Sequence, residues 1–421
     1  MLLNLIKRSK NKKLSRDLIN ILDKVAIYIH WPYCESKCSY CSFNKYVNPK
    51  SLNHQRYKNA YLIELKHELK NYKGKRINSV YFGGGTPTLA EPSTFEAILK
   101  YIDKECKIDE NTEITIEVNP TSMEMDKLKE FKFIGINRMS LGLQSIDDKD
   151  LKMMGRDHDA KGGLKALEIT SKLFDNFTFD MIFGRPEQTI EKWRQELKSV
   201  LSFGGNHISI YQLMIEAGTP FYKLDKQNKL PLPKSVILED MYYDTIDIMN
   251  KYEYEHYEVS SYSKKQYYGK HNMGYWSGMD YIGIGPGAHG RVTGSNSLEY
   301  RMSTYRILSP NLWLNQCELL GNGVAKTEIL SPGDIIKERI VLGLRTKKGV
   351  NMDELKEILT ILNKNIPNST LSLDEILIMD KLNVFIKEEF LKYYSFNGHP
   401  YLVPTEKGLG VIDTILYELL Y

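Results

Sequence analysis

Val25-Ala-Ile-Tyr-Ile-His-Trp-Pro-Tyr-Cys34-Glu-Ser-Lys-Cys38-Ser-Tyr-Cys41 opens with a β-branched, apolar strand that runs straight into three cysteines at C-x3-C-x2-C spacing. Thiolates are soft ligands that suit iron–sulfur clusters and zinc. A cubane usually takes four cysteines. This loop supplies Cys34, Cys38 and Cys41, while Cys106 and Cys317 lie far along the chain. Three ligands leave one iron of a [4Fe–4S] cluster open to a small molecule. A Cys3His zinc site, with His30 or His54 as the fourth ligand, uses the same residues. A chance crowding of three thiols in a loop is the third reading.

Outward from the loop, residues 24–212 alternate between strand-like and helix-like stretches. Val25–Ile29, Ser79–Phe82, Glu113–Val118, Arg138–Leu141, Phe177–Phe183 and His207–Tyr211 are short and apolar, as expected of strands covered on both faces. Between them, residues 54–72, 92–104, 124–131, 147–153, 160–173 and 188–201 read as helices. Six such units predict parallel strands with right-handed crossovers. The count suits an α/β fold, a partial (β/α)6 barrel, although an open doubly wound sheet shares the alternation.

From 213 to 325 the pattern loosens, apart from a helix at 235–250. Residues 331–421 read as a small helical, winged-helix-like domain. Its predicted helices are 334–344, 352–362 and 373–382, with a strand, a turn and a last helix from Tyr401 onward. No basic cluster marks a recognition helix, so a lid or docking surface is expected in place of nucleic-acid binding.

Five cysteines in 421 residues do not make a disulfide scaffold, and their clustering fits a reducing compartment. A formal net charge of +4 argues against a protein that coats nucleic acid. No run approaches the roughly 18–20 apolar residues that span a bilayer, so a soluble chain is expected, with at most peripheral membrane contact. Residues 1–23 form a basic leader whose first sixteen residues carry six Lys or Arg and no acid. It can be read as a mitochondrial presequence or as a basic tail on a cytoplasmic protein.

Several stretches stand at predicted strand ends, where a parallel barrel binds its ligands. Tyr81-Phe-Gly-Gly-Gly-Thr-Pro87 follows the second strand, and its glycines let backbone approach a ligand closely. Glu117-Val-Asn-Pro120, Ser140-Leu-Gly-Leu-Gln144 and Asp180-Met-Ile-Phe-Gly184 end the third, fourth and fifth strands. Arg156 follows the fourth strand and can face a carboxylate. With the cysteine loop, these motifs resemble the radical SAM superfamily, in the branch holding oxygen-independent coproporphyrinogen III oxidase and the heme chaperones. The resemblance covers roughly residues 24–300 as barrel and extension, with a HemN-type C-terminal domain over 331–421.

The resemblance implies a [4Fe–4S] cluster on Cys34, Cys38 and Cys41 that donates an electron to bound S-adenosylmethionine. It implies contacts to that ligand from Tyr28, Gly84, Gly85, Thr86, Glu117, Gln144, Arg156 and Asp180, with Tyr40 packed on the adenine. The oxidase has a fourth cysteine two places after the third; here that position is Phe43. His271-Asn-Met-Gly-Tyr-Trp276 is similar to the H-N-x-x-Y-W signature of HemW-like chaperones. These features imply a heme carrier without coproporphyrinogen oxidase activity, delivering heme to acceptor proteins. A radical enzyme acting on a porphyrinogen or heme is the rival, because the full ligand-binding set is present.

His271 is the candidate heme ligand, with His289 and His256 as lesser ones. The competing reading has His271 hydrogen-bonding near the barrel. The cysteine loop also resembles that of the animal, mitochondrial members of the chaperone group, which implies a mitochondrial leader. Gly283-Ile-Gly-Pro-Gly-Ala288 fits a dinucleotide fingerprint, but no helix pattern follows it, so it reads as structural.

Overall fold

The computed structural model describes residues 23–121, 126–294, 300–366 and 370–421. The leader, and the start of the helix expected at 124–131, lie outside these. Six strands follow one another along the chain: β1 (Lys24–Trp31), β2 (Arg76–Gly84), β3 (Glu113–Val118), β4 (Arg138–Gln144), β5 (Phe177–Phe183) and β6 (His207–Gln212). They lie side by side in chain order, and each neighbouring pair is parallel. This is the α/β partial barrel expected from the alternation.

The connecting helices start where short polar side chains satisfy the first free N–H groups. Asp147, Asp159 and Thr189 each accept from a backbone N–H three residues on. Helix Pro92–Glu105 buries Thr94, Phe95, Ile98, Leu99 and Ile102, a stripe at helical spacing that packs on the sheet. Phe82 meets Phe95 at 4.4 Å between ring centroids.

The region read as loose is ordered sheet. β7 (Glu255–Glu258) and β8 (Ser261–Ser263) add to the β6 edge, with β8 antiparallel to β6. β9 (Asp280–Ile284) is a seventh parallel strand beside β1, followed by the antiparallel β10 (His289–Thr293), β11 (Arg301–Arg306) and β12 (Val324–Ile329). The sheet therefore has twelve strands. These additions were hard to read because β7, β8 and β10 are polar or glycine-bearing, and most of β12 is an exposed edge.

A second core begins at Ile335 and runs to Leu420. Helices Pro332–Leu344, Met352–Asn365, Met379–Lys387 and Ile412–Leu420 surround a three-stranded antiparallel sheet. Its hairpin pairs Leu391–Phe396 with His399–Pro404, which is the expected wing. This domain docks on the β7–β8 edge of the sheet, where Val259 and Lys347 donate backbone N–H groups to Arg345 and Tyr257 carbonyls across the junction, and Arg339 donates to the Ser277 carbonyl. Among the described residues no helix is long and apolar enough to cross a membrane.

Candidate functional site

The cysteine loop leaves the C-terminal end of β1 and is held from behind by backbone. Gly85 and Thr86 donate their N–H groups to the carbonyls of Trp31 and Tyr33. A Cβ on Gly85 would sit 2.5 Å from the Tyr33 carbonyl oxygen. Gly84 has φ +109°, and a Cβ there would meet the His30 ring at 2.5 Å. Both positions therefore require glycine. Gly85 and Thr86 clamp the base of the loop.

Gly285 and Gly287 press on the same base. A Cβ on Gly285 would meet the His30 carbonyl, and one on Gly287 would meet the Asn44 side chain. Glu64, buried, accepts the Gly285 N–H at 2.8 Å. Strand β10 follows, with no helix to hold a phosphate. The Gly283–Ala288 run is thus a packing device, as its sequence suggested.

Cys34, Cys38 and Cys41 are half-buried and free of disulfides. Burial pushes the Cys34 thiol up to about 11, against a hydrogen bond from Thr86. Arg156 Nη1 donates to Cys38 Sγ at 3.5 Å, and Lys45 Nζ bonds the Cys41 carbonyl at 2.7 Å. Arg156 Nε is buried without a hydrogen-bond partner in the protein. Three thiols beside two cations, in a pocket that keeps one of them protonated, fit an iron–sulfur cluster, whose positive iron reverses that preference. Among the described residues no three His, Cys, Asp or Glu side chains converge as a single ion requires. A cubane needs no such convergence, since each sulfur binds a separate iron. Both nitrogens of His30 are engaged, Nδ1 with Tyr28 Oη at 3.0 Å and Nε2 with the Asn44 carbonyl at 2.8 Å. His30 therefore has no nitrogen free for a zinc ion.

Beside the loop, the strand-end residues form one network. Glu117 accepts from Tyr81 Oη and from the Gly84 N–H, both at 3.0 Å. Burial nevertheless pushes Glu117 up to about 7. Burial also pushes Asp180 up to about 6, opposed by a hydrogen bond from Ser209 and by the Arg138 and Arg156 charges. Asp180 lies in the middle of β5, three residues before the strand end predicted for it. Gln144 ends β4 with φ +67°. Its amide, Asn119 and Arg156 all stand within 3.5 Å of where a Cβ on Gly142 would lie. Tyr40 is close enough to feel the charges of Arg156, Cys38, Cys41 and Asp180. Its ring packs on the cluster that includes Leu151, Ile182 and Phe221. Tyr28 lies inside the barrel, stacked 6.2 Å from Tyr81.

Asn119 was not among the expected site residues. Its Nδ2 donates to Thr86 Oγ1 at 2.7 Å, and its Oδ1 accepts from Arg156 Nη2 at 2.8 Å. It therefore joins three segments of the site. Its position just past β3, two residues after Glu117, was the signal available in the sequence. Tyr81 was likewise overlooked inside its glycine motif.

His271 lies elsewhere. Helix Lys270–Trp276 plugs the N-terminal ends of the strands. Glu113, the first residue of β3, accepts the N–H groups of Lys270 and His271 at 3.0 and 3.1 Å. His271 Nδ1 pairs with Ser79 Oγ at 2.9 Å, and Nε2 pairs with Tyr275 Oη at 2.7 Å. The ring stacks on Tyr81 at 4.8 Å. Buried with both nitrogens engaged, His271 offers none to an iron in this structure, and burial holds its charge off down to about 3. His256 is buried with Nδ1 facing Glu406 at 3.1 Å. His289 is exposed beside the cysteine loop, its ring 4.5 Å from Tyr305.

Comparison with known proteins fits this geometry. The Radical SAM superfamily profile matches residues 28–200. The chain is 34% identical to "Radical S-adenosyl methionine domain-containing protein 1, mitochondrial" of Mus musculus, over 94% of this chain and 87% of that one. It is 32% identical to "Heme chaperone HemW" of Buchnera aphidicola, over 94% of this chain and 98% of that one. The solved structure of coproporphyrinogen III oxidase (HemN) from Escherichia coli superposes with a TM-score of 0.75 at 19% identity, covering 95% of this chain and 92% of that one, which shows the shared fold. The chain belongs to the radical SAM superfamily, in the group that contains radical S-adenosyl methionine domain-containing protein 1 and HemW.

Proposed function

We propose that the protein is a heme carrier that retains a [4Fe–4S] cluster and an S-adenosylmethionine site, and passes heme to acceptor proteins. The observation that carries this reading is the likeness, over 94% of the chain, to a protein named heme chaperone HemW. Phe43 supports it. That side chain is 65% exposed at the position where the oxidase signature has its fourth cysteine.

Cys34, Cys38 and Cys41 would hold the cluster, with Arg156 hydrogen-bonded to the sulfur of Cys38. The cluster, when bound, supplies an electron to the sulfonium ligand. Glu117 and Asp180 would accept hydrogen bonds from that ligand's ammonium or hydroxyl groups. Gln144, Gly84 and Arg156 would orient it, and Tyr40 would cover its base. Tyr28 contributes from inside the barrel, where it fixes His30 and hence Gly84. Residues 1–23 are proposed as a mitochondrial leader, since the animal relatives are named mitochondrial.

Titration of the purified protein with heme, followed by the Soret band, tests the carrier reading. Saturable, near-stoichiometric binding is expected. Anaerobic incubation with reconstituted cluster, dithionite and coproporphyrinogen III tests the rival. Turnover to protoporphyrinogen would replace the carrier with an oxidase-like enzyme.

A further inference from the structure

A cavity lies at the far end of the barrel, between helix Lys270–Trp276 and the C-terminal domain. It has a volume of about 100 Å³. Its walls are mixed: Met273, Leu355 and Ile358 give it an apolar side, while Trp276, Arg339 and Lys348 give it N–H donors. Arg339 is 8% exposed. Its Nη1 donates to the Ser277 carbonyl at 2.5 Å and faces Glu354 Oε1 at 3.6 Å. Its Nη2 is buried with no hydrogen-bond partner in the protein, and the same is true of Trp276 Nε1.

Two buried donors without acceptors are costly. Both belong to residues lining one cavity. Burial, with the Arg301 charge, pulls Arg339 down to about 10 against the pull of Glu354, Asp280 and Glu338. The charged lining residues are Arg339, Lys348 and Glu354, and Arg339 also feels Arg301, Asp280 and Glu338. The two orphan donors call for a ligand with two acceptor oxygens. A carboxylate meets this demand, one oxygen for each orphan donor. The apolar wall then faces the carbon chain. At about 100 Å³ the cavity exceeds severalfold the roughly 10–15 Å³ that one water needs on the same measure, so a small ligand of several heavy atoms fits.

We propose that this cavity binds an alkyl carboxylate between Trp276 Nε1 and Arg339 Nη2. The chain has four tryptophans, so indole ¹⁵N–¹H spectra are simple, and Trp276→Phe identifies the Trp276 signal. Titration of the wild-type protein with butyrate should shift that signal saturably, with Kd on the order of 1 mM. Butanol should leave it in place, and Arg339→Lys should weaken butyrate about tenfold. Equal responses to butyrate and butanol, or no saturable shift with butyrate, would overturn the proposal without reference to any variant. Competition with protoporphyrin and with its dimethyl ester separates two sources of the carboxylate. Displacement by the free acid alone supports the site as a seat for a tetrapyrrole propionate. Butyrate binding untouched by either supports it as a site for a free short-chain acid.

Discussion

At the C-terminal ends of the strands, acids and an arginine crowd together and stay incompletely satisfied; at the N-terminal ends of the same strands the acid and the two histidines are paired off, although Arg138 Nε is not. Glu117 and Asp180 are held above their ordinary range by burial, and Arg156 keeps a nitrogen without a partner. At the other end, Glu113 caps the plug helix twice and His271 spends both nitrogens. His207 is bonded there as well, to Thr178 at 2.7 Å and to Tyr257 at 2.7 Å. Residual electrostatic strain marks a place that waits for a ligand, whereas histidines with both nitrogens engaged mark a place that holds the barrel closed. The contrast separates two histidine- and cysteine-bearing motifs that look equally functional in the sequence.

The largest effect should come from the cysteine loop. Cys38→Ser removes one of three sulfurs and the acceptor of Arg156 Nη1. Iron bound per chain after anaerobic reconstitution should fall at least tenfold, while the melting temperature of the protein before reconstitution changes little. Retention of most of the iron would mean that the cluster takes its ligands from elsewhere.

The plug should behave in the opposite way. His271→Ala leaves Ser79 and Tyr275 without their partner in a buried setting and opens a cavity under Tyr81. The cost should be about 3–5 kcal/mol in urea unfolding. Heme binding by the variant that remains folded should be unchanged, whereas His289→Ala, at an exposed position beside the cysteine loop, should weaken it. A loss of the Soret band in His271→Ala at wild-type stability would reverse the comparison and make the plug a heme site that opens.

Glu117 sharpens the contrast through pH. Its folded-state value, about 7, lies above its ordinary 4.5. A raised carboxyl favours the folded state fully below the ordinary value, and that stabilisation is lost as pH rises toward 7. Asp180 acts the same way between 3.8 and about 6. Glu117→Gln lacks this term, so its stability relative to wild type should increase from pH 5 to pH 8. The gain is at most about 3 kcal/mol, the equivalent of the shift. Urea midpoints at four pH values measure it. A difference that stays flat would show that Glu117 is solvated and not strained.

Much of this was readable from residues alone because the barrel strands are nearly pure apolar runs and their ends carry glycines and acids. Val25–Ile29 and Phe177–Phe183 can only be buried strands, and Gly83–Gly85 announces close backbone approach. The region after 213 resisted reading for physical reasons. Asp280-Tyr-Ile-Gly-Ile284 is a central parallel strand, but it is short and carries a glycine required by the approach of His289. Asp280 itself is paired with Arg301 at 2.9 Å, a contact no local pattern reveals. His271 was misleading for a related reason. A histidine followed four residues later by a tyrosine presents both on one helix face, and sequence does not say whether that face meets a ligand or the barrel floor.

Asn119 should give the smallest effect and the finest test of the strand-end network. Its amide joins Thr86, which clamps the cysteine loop, to Arg156, which faces Cys38. Asn119→Ala leaves the Arg156 Nη2 group its bond to the Gly142 carbonyl at 2.8 Å, so the arginine stays charged and in place but loses one restraint. Stability should fall by about 1–2 kcal/mol, and S-adenosylmethionine affinity about tenfold. The decisive comparison is a double-mutant cycle with Arg156→Lys. If the network acts as one unit, Asn119→Ala should cost much less in the Arg156→Lys background than alone. Additive losses would mean that Asn119 and Arg156 serve the ligand independently, and that the strain shared at the strand ends is a coincidence of burial.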